Sequence, residues 1–538
     1  MDLQQDVISP VLLKRKPYRS DSGFISRDSL VLLLFAAITI ILYSHTLNSP
    51  FVLDDAANIL ENRYIRISSL TWEDLYNAAF KSLRSKRPLS NISIALNYYI
   101  GRYNVLGYHL FNIVIHIATG IVLYLFLKLT FRVHSPSRCQ NKFIPFFVTL
   151  IWLVHPVQTQ AVTYIVQRMT SMSALFYLLS MLLYANGRSL SLQGIVKKGI
   201  REGRRPYFYF FGSFVTGGLA LCSKENAATL PFFIFLYEWF FFQNLDRKWL
   251  KQNRICFFWI FFLLLLFVIL YMGENPVEKI VSQYETRNFT LSQRLLTETR
   301  VVVYYITLLV YPHPSRLNLD HDFPLSISLL SPVTTLLSLG ILAGLIAVAI
   351  LIAKRERVFS FCIFWFLGNL VMESSVIGLE IIFEHRLYLP SMLVFILPAC
   401  LFFSYFKSEN LSKVILCAVI LILSFWTYQR NSVWKNEVSL FTDCTRKSPN
   451  KERPYTSLGT SLIRAGRNEE AVITLSKAIQ LNPKSAFAHN NYGVALSLTG
   501  KVKEAIPHFQ EAVRILPIYV EAKRNLERAF RYQKTSRG

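Results

Sequence analysis

Apolar residues run along this chain in near-continuous blocks separated by short polar loops. The blocks fall at 30–47, 108–127, 143–155, 161–184, 207–223, 227–242, 255–272, 332–353, 358–372, 387–406 and 411–428. They are apolar all round rather than striped, the pattern of helices buried in lipid or in a large core, and a bilayer crossing takes about 20 such residues. The pattern predicts an all-α polytopic membrane domain of about eleven spans over 30–428, preceded by a polar, basic cytoplasmic tail at 1–29. No small-residue cleavage motif follows the first block, so it reads as an uncleaved anchor.

After residue 428 the period changes. Tyr455, Leu458, Gly459, Leu462, Ala471, Leu475, Ala478 and Pro483 fit the tetratricopeptide pattern, as do Gly493, Leu496, Ala505, Phe509, Ala512 and Pro517. Gly459 and Gly493 lie 34 residues apart, as do Ala471 and Ala505, which is the period of that repeat. The stretch 434–449 reads as the second helix of a degenerate earlier repeat and 519–532 as a closing helix with a charged outer face. The fold class is therefore an all-α membrane domain followed by a tetratricopeptide-repeat solenoid at 429–538.

Composition agrees. The 538 residues are 52% hydrophobic with mean hydropathy +0.34, too apolar for a soluble enzyme of this length. The formal charge of +25 would suggest nucleic acid in a soluble protein. Here Lys and Arg sit in short loops between apolar blocks, so no nucleic-acid partner is expected. Lys128, Arg132, Arg138 and Lys142, then Lys197, Lys198, Arg201, Arg204 and Arg205, then Arg247, Lys248, Lys251 and Arg254, then Lys354, Arg355 and Arg357 mark one membrane face as cytoplasmic. The seven Cys are scattered, without C-x-x-C spacing, and read as small packing residues. The segment 291–310 (LSQRLLTETRVVVYYITLLV) would reverse this scheme if it spanned. It is read as an interfacial or re-entrant helix on the outer face, with Arg294, Glu298 and Arg300 on its polar side.

With that reading, the outer face receives a long first loop at 48–107, a second at 273–331, and the repeats. In the first loop Thr71, with Asp74 three residues on, predicts a capped helix lying on the membrane surface. Five separate loops deliver charged residues to this face: Asp54, Asp55 and Arg87 in the first, then His155, Lys224 and Glu225, Asp320-His321-Asp322, and Glu384-His385-Arg386. Taken singly each has a plain structural reading: Arg87 and Arg386 anchor at head groups, His155-Pro156 breaks the chain, Glu225 caps a helix or pairs with Lys224, and Asp320–Asp322 is a solvated loop. Arg168 falls inside an apolar run about two helical turns from its outer end, a depth at which a charge faces a polar cavity. Together they suit a site in which Arg and Lys hold an anionic head group and a carboxylate removes a proton from a hydroxyl. Asp54, Asp55, Asp320, His321, Asp322 and Glu384 also offer hard ligands to a divalent cation, although no spacing demands one.

The stretches FVLDDAANILEN, RPLSNISIALNYYIG, GYHLFNIVIH, HPVQTQAVTYIVQRM, CSKENAATLP, LNLDHDFPLS and EHRLYLPS, in that order and followed by the repeats, resemble the transmembrane and tetratricopeptide-repeat O-mannosyltransferases of the GT-C superfamily and their bacterial homologues. The resemblance implies inverting transfer of a sugar, mannose or another hexose, from a polyprenyl-phosphate donor to a hydroxyl of a protein or glycan acceptor. By position it makes Asp54 or Asp55 the base, with slight preference for Asp55. Arg168, Lys224 and Arg386 become donor-phosphate contacts, while His155, Glu225, Asp320 and His321 support the cleft and the repeats present the acceptor. The few repeats and compact loops look closer to the bacterial homologues. Localisation follows as multi-pass, in a bacterial inner membrane or the endoplasmic reticulum of a eukaryote. Two other readings stand beside this one: a non-catalytic membrane-anchored repeat scaffold, and a transporter, for which no internal symmetry among the spans is visible.

The charge distribution fixes sidedness in a way that cysteine labelling reads directly. Cysteines introduced at Gly459 and at Ser135 are expected to react from opposite sides of sealed vesicles; reaction from the same side overturns the assigned orientation.

Overall fold

The computed structural model describes residues 27–134, 141–197, 205–255, 257–259, 262, 273, 275–285, 287–406 and 408–535. The expected tail 1–29 lies almost wholly, and the expected span 255–272 mostly, outside the described residues. Among the described residues every regular element is helical, as the block pattern predicts. Five helices are long and apolar enough to cross a membrane: Asp28–Thr46, Val105–Val133, Ile165–Leu192, Thr334–Ile352 and Glu409–Lys435. Ile144–Leu153, Arg357–Leu370 and Pro390–Tyr405 are apolar but shorter.

Two expected spans are broken at one end. The block 161–184 divides into a short helix Thr159–Thr163, a 3-10 turn Ile165–Gln167 and a long helix from Arg168. The block 387–406 begins as two 3-10 turns, Glu384–Leu387 and Pro390–Leu393, before a regular helix Ile396–Tyr405. Pro390 accounts for the second break, because it supplies no amide to a helix. Irregular backbone in a core must find partners for its polar groups. Trp152 Nε1 donates to the Tyr388 carbonyl at 3.2 Å and Trp365 Nε1 to the Leu389 carbonyl at 3.1 Å. His116 bridges Tyr388 Oη and the Leu153 carbonyl. Trp152, Trp365 and Tyr388 are each completely buried, so the 384–393 segment is clamped by rings that also close its hydrogen bonds.

Leu291–Val310 is one 20-residue helix, started by a reciprocal capping box between Thr290 and Gln293. Its charged positions do not all face water. Arg294 and Glu298 point into the protein together with Val301, Tyr305 and Leu308, while Arg300 donates to the Pro324 carbonyl. The expected surface helix forms at Trp72–Lys81, capped by Thr71 Oγ1 accepting from the Asp74 amide. Trp72, Tyr76 and Phe80 repeat every four residues along it and are 82%, 49% and 50% exposed. That outward aromatic stripe is what a helix resting on a lipid surface presents. Asn91, in the next helix Pro88–Gly101, is buried, and its side-chain amide donates to the Ala79 and Arg84 carbonyls.

The last membrane helix, Glu409–Ser432, continues past residue 428 and leads through Val433–Lys435 into Glu437–Lys447, the degenerate repeat helix. Two full helix pairs follow, Glu452–Arg464 with Asn468–Leu481 and Ala486–Leu498 with Val502–Ile515, and Val520–Thr535 closes the stack. Each repeat glycine marks a close approach. A Cβ at Gly459 would lie 2.3 Å from Leu475 Cγ, and one at Gly493 would lie 2.7 Å from the Phe509 ring. Gly459→Ala should therefore lower the stability of the repeat domain by about 1–3 kcal/mol. A melting temperature unchanged from wild type would show that the pair is not packed this way.

Candidate active site

The broken helix explains the first acid site. With the helix ending at Thr163 and restarting at Arg168, the Val166 amide and the Val162 carbonyl lack helical partners, and the Ile165 carbonyl keeps only the Arg168 amide of the 3-10 turn. Asp55 Oδ1 accepts from the Val166 amide at 2.8 Å, and Asn112 Nδ2 donates to both carbonyls. Asp55 Oδ2 also accepts from the Val52 amide at 2.9 Å, while the Asp55 amide donates back to the Val52 carbonyl. Asp55 is 1% exposed, and burial outweighs these amide donors and pushes its carboxyl up to about 8. Its neighbour differs. Asp54 faces solvent, and its amide donates to Tyr164 Oη at 2.8 Å. The residue before it, Leu53, has φ 42°. That conformation costs a side chain such as Leu about 1–3 kcal/mol and persists only where the surroundings enforce it. Of the two acids, Asp54 is the one presented and Asp55 the one built in, the reverse of the slight preference drawn from the sequence.

Three other expectations meet the same physics. Arg168 stands at the first position of its helix, not two turns inside it, and is fully buried. Its guanidinium donates to Asn112 Oδ1 and to the Ser93 and Tyr108 carbonyls and lies 4.5 Å from the Phe111 ring. With those donors engaged it braces the helix break, and the expected donor-phosphate contact is not available to it. His155 is buried as a turn cap: Nδ1 accepts from the Val157 amide and Nε2 donates to the Leu309 carbonyl. It does not open onto the acid site. Arg386 is also enclosed, its guanidinium donating to the Glu380 and Ile381 carbonyls.

Lys224, Glu225, Arg87, His385 and Arg386 do come together. Arg87 pairs with Glu225 through Nε and Nη2 at 2.8–3.1 Å, and its Nη1 lies 2.9 Å from Met169 Sδ, five residues beyond Tyr164. Lys224 pairs with Glu373 at 2.5 Å and donates to Thr170 Oγ1. Burial, with Arg87 and Arg386 nearby, holds the Lys224 ammonium below its usual range despite Glu373. His385 donates its backbone amide to Gln160 Oε1. Burial, reinforced by Lys224, Arg386 and Arg87, keeps its imidazole well below the ordinary range. Behind these, Glu298 pairs with Arg294 at 2.9 Å and with Arg386 at 3.8 Å. Arg294 gathers the carbonyls of Glu373, Ser375, Leu379 and Glu380. Four cations thus face three carboxylates on one ledge.

The segment 317–322 and the start of the repeats close the far side. Asp320 is held by Arg453 through Nε and Nη2, and by Lys451. Burial alone would raise its carboxyl, but these cations hold it below the usual carboxylate range. Arg453 also reaches Glu380, which Arg287 shares. His321 pairs with Glu384 at 3.0 Å, and Glu384 accepts from the Asn318 amide. Ser448 Oγ donates to the Asp320 carbonyl and accepts from Asn318 and the Asp322 amide. Asp320 therefore anchors the repeat domain rather than lining open space. With Asp55, Asp320 and Glu384 so engaged, no three His, Cys, Asp or Glu side chains gather into a cation site among the described residues.

Sequence reading missed Glu373, Tyr164 and Arg453, and placed Arg294 and Glu298 on a helix without partners. Glu373 was visible as the acid ending an apolar run, and Arg294 with Glu298 as an i,i+4 pair in a helix otherwise turning apolar.

Comparison with known proteins agrees with both halves. The tetratricopeptide repeat profile matches residues 452–485 and 474–506. Over most of its length the chain is similar to curated proteins named protein O-mannosyl-transferase. One of Caenorhabditis elegans is 25% identical over 84% of this chain and 63% of its own length. Tmtc3 of Drosophila melanogaster is 23% identical over 91% and 59%, and TMTC1 of Homo sapiens 25% identical over 87% and 57%. The chain thus spans about six-tenths of the length of these relatives.

The built-in acid has a pH signature. Its carboxyl titrates near 8 in the folded chain against 3.8 for the free side chain, so folding favours the protonated form. That contribution is complete below pH 3.8, declines through the interval, and is gone above about 8. Wild type should lose more melting temperature between pH 5 and pH 8.5 than Asp55→Asn does. Equal losses would mean that Asp55 is not buried.

Proposed function

We propose, from similarity over most of the chain to proteins named protein O-mannosyl-transferase, that this protein is a membrane glycosyltransferase of GT-C type. It transfers a hexose, mannose in the first instance, from a polyprenyl-phosphate donor to a hydroxyl of a polypeptide on the extracytoplasmic face. The observation that carries the reading is a solvent-facing carboxylate, Asp54, in a strained turn whose apolar cluster includes the first repeat helices and Met169, the residue that Arg87 of the cationic ledge contacts.

Asp54 is the general base. It takes the proton of the acceptor hydroxyl as that oxygen attacks the anomeric carbon. The bond from the anomeric carbon to the phosphate oxygen breaks, its electron pair leaving with the polyprenyl phosphate, and the configuration inverts. Arg87 is the donor-phosphate contact: its guanidinium is the partly accessible one on the ledge, 17% exposed, and its planar fork matches phosphate as it now matches Glu225. Lys224 and Arg386 supply positive potential behind it. The excess of one cation over the ledge carboxylates is charge left to meet the donor. The repeats, seated on Asp320, hold the polypeptide that carries the acceptor hydroxyl. A scaffold would need the repeats and the anchor but no presented acid.

The test is transfer from polyprenyl-phosphate mannose to a Ser/Thr-containing polypeptide by the purified full chain. Asp54→Asn should abolish turnover while keeping the wild-type melting temperature, and Arg87→Ala should raise the donor KM about tenfold, or ~1.4 kcal/mol of binding. Wild-type turnover in Asp54→Asn would remove the assignment of the base.

A further inference from the structure

We propose that Tyr164 is the positioning residue for Asp54, and that Trp434, in the connector to the repeats, holds Tyr164 in place, so that the seating of the repeat domain is felt at the acid. This rests on the reading of Asp54 as the base. Tyr164 lies between the two helix pieces at the break, in extended conformation (φ −74°, ψ 109°). It is 3% exposed. Its hydroxyl accepts the Asp54 amide at 2.8 Å, and two residues later the Val166 amide is bound by Asp55. One short stretch therefore grips both acids from 110 residues away in sequence. The grip matters because Leu53 is strained. A turn with φ 42° at Leu relaxes unless its flanks are pinned.

The other side of the Tyr164 ring faces the repeat domain. Its centroid lies 5.9 Å from that of Trp434, 2% exposed. Both belong to one apolar cluster with Val52 of the acid turn and with Leu440, Phe441, Leu458 and Leu475 of the repeat helices. The repeat domain does not hang from the membrane domain by a linker. It shares a core with the acid turn, and the Arg453 and Lys451 ion pairs to Asp320 fasten that core from the side. A displacement of about 1 Å at a reacting group costs on the order of a hundredfold in rate, so a hydroxyl that fixes the Asp54 backbone controls kcat without touching substrate.

Two readouts on the full chain in nanodiscs test this. The first is hydrogen exchange over 52–58, which needs no substrate. Tyr164→Phe keeps the ring and removes the oxygen. It should speed exchange at the Asp54 amide about tenfold or more, and Trp434→Ala should do the same with Trp434→Phe restoring most of the protection. The second is kinetics: Tyr164→Phe should lower kcat about ten- to a hundredfold at unchanged donor KM. Unchanged exchange in Tyr164→Phe overturns the proposal, as does faster exchange with wild-type kcat. If the exchange responds as expected but wild type transfers from no polyprenyl-phosphate hexose, the glycosyltransferase reading fails and the backbone coupling stands.

Discussion

An amide released by a broken helix must be paired inside the protein, and that requirement organises the end of the apolar helical domain that carries the two acids. Between Thr163 and Arg168 the helix gives up part of its own hydrogen bonding, keeping only the 3-10 bonds of Ile165–Gln167. Asp55 and Asn112 replace the lost ones, and Arg168 locks Asn112 in place while binding the Ser93 and Tyr108 carbonyls. Leaving one such group unpaired costs about 1–3 kcal/mol. The acid turn, the first outer loop and the restarted helix are thus tied through a few polar side chains with no water access. Asp54 is left facing outward because its neighbour is fully occupied.

The charges beyond this point divide by burial. Arg294, Glu298, Arg386 and Asp320 are nearly enclosed and act on loops: Arg294 alone binds four carbonyls of the 373–380 segment. Removing one partner from such a pair costs about 3–5 kcal/mol, because the other charge stays buried. Arg87 and Glu225 keep some contact with solvent. They can exchange partners at far lower cost, which separates residues able to meet a ligand from residues that only shape its surroundings.

Much of this was legible in the sequence. Apolar block length located the helices, the 34-residue period located the repeats, and Thr71 marked a cap that forms as drawn. Arg87, Lys224, Glu225 and His385, which the sequence assigns to loops expected on one face, do come together in the structure. What composition could not carry was orientation within a block. Nothing in TYIVQRM distinguishes a continuous helix from one that stops at Tyr164, because the break is stabilised by Asp55 and Asn112 from elsewhere in the chain. The same holds for Asp54 against Asp55: adjacent identical residues differ only in which amides they meet. Glu373 and Arg453 became significant only once Lys224 and Asp320 stood opposite them.

The aromatic helix Trp72–Lys81 has a bearing on all of this. Its inner face packs, through Leu75 and Ala78, into the same small core as Ile59, Ile94, Tyr108, Ile165 and the Phe51 ring beside the acid turn. Its outer face carries Trp72, Tyr76 and Phe80. The two faces share that core, so the exposed rings and the acid turn keep a fixed offset from one another. For a helix of this kind resting on lipid, the rings would set the depth at which the carboxylate sits.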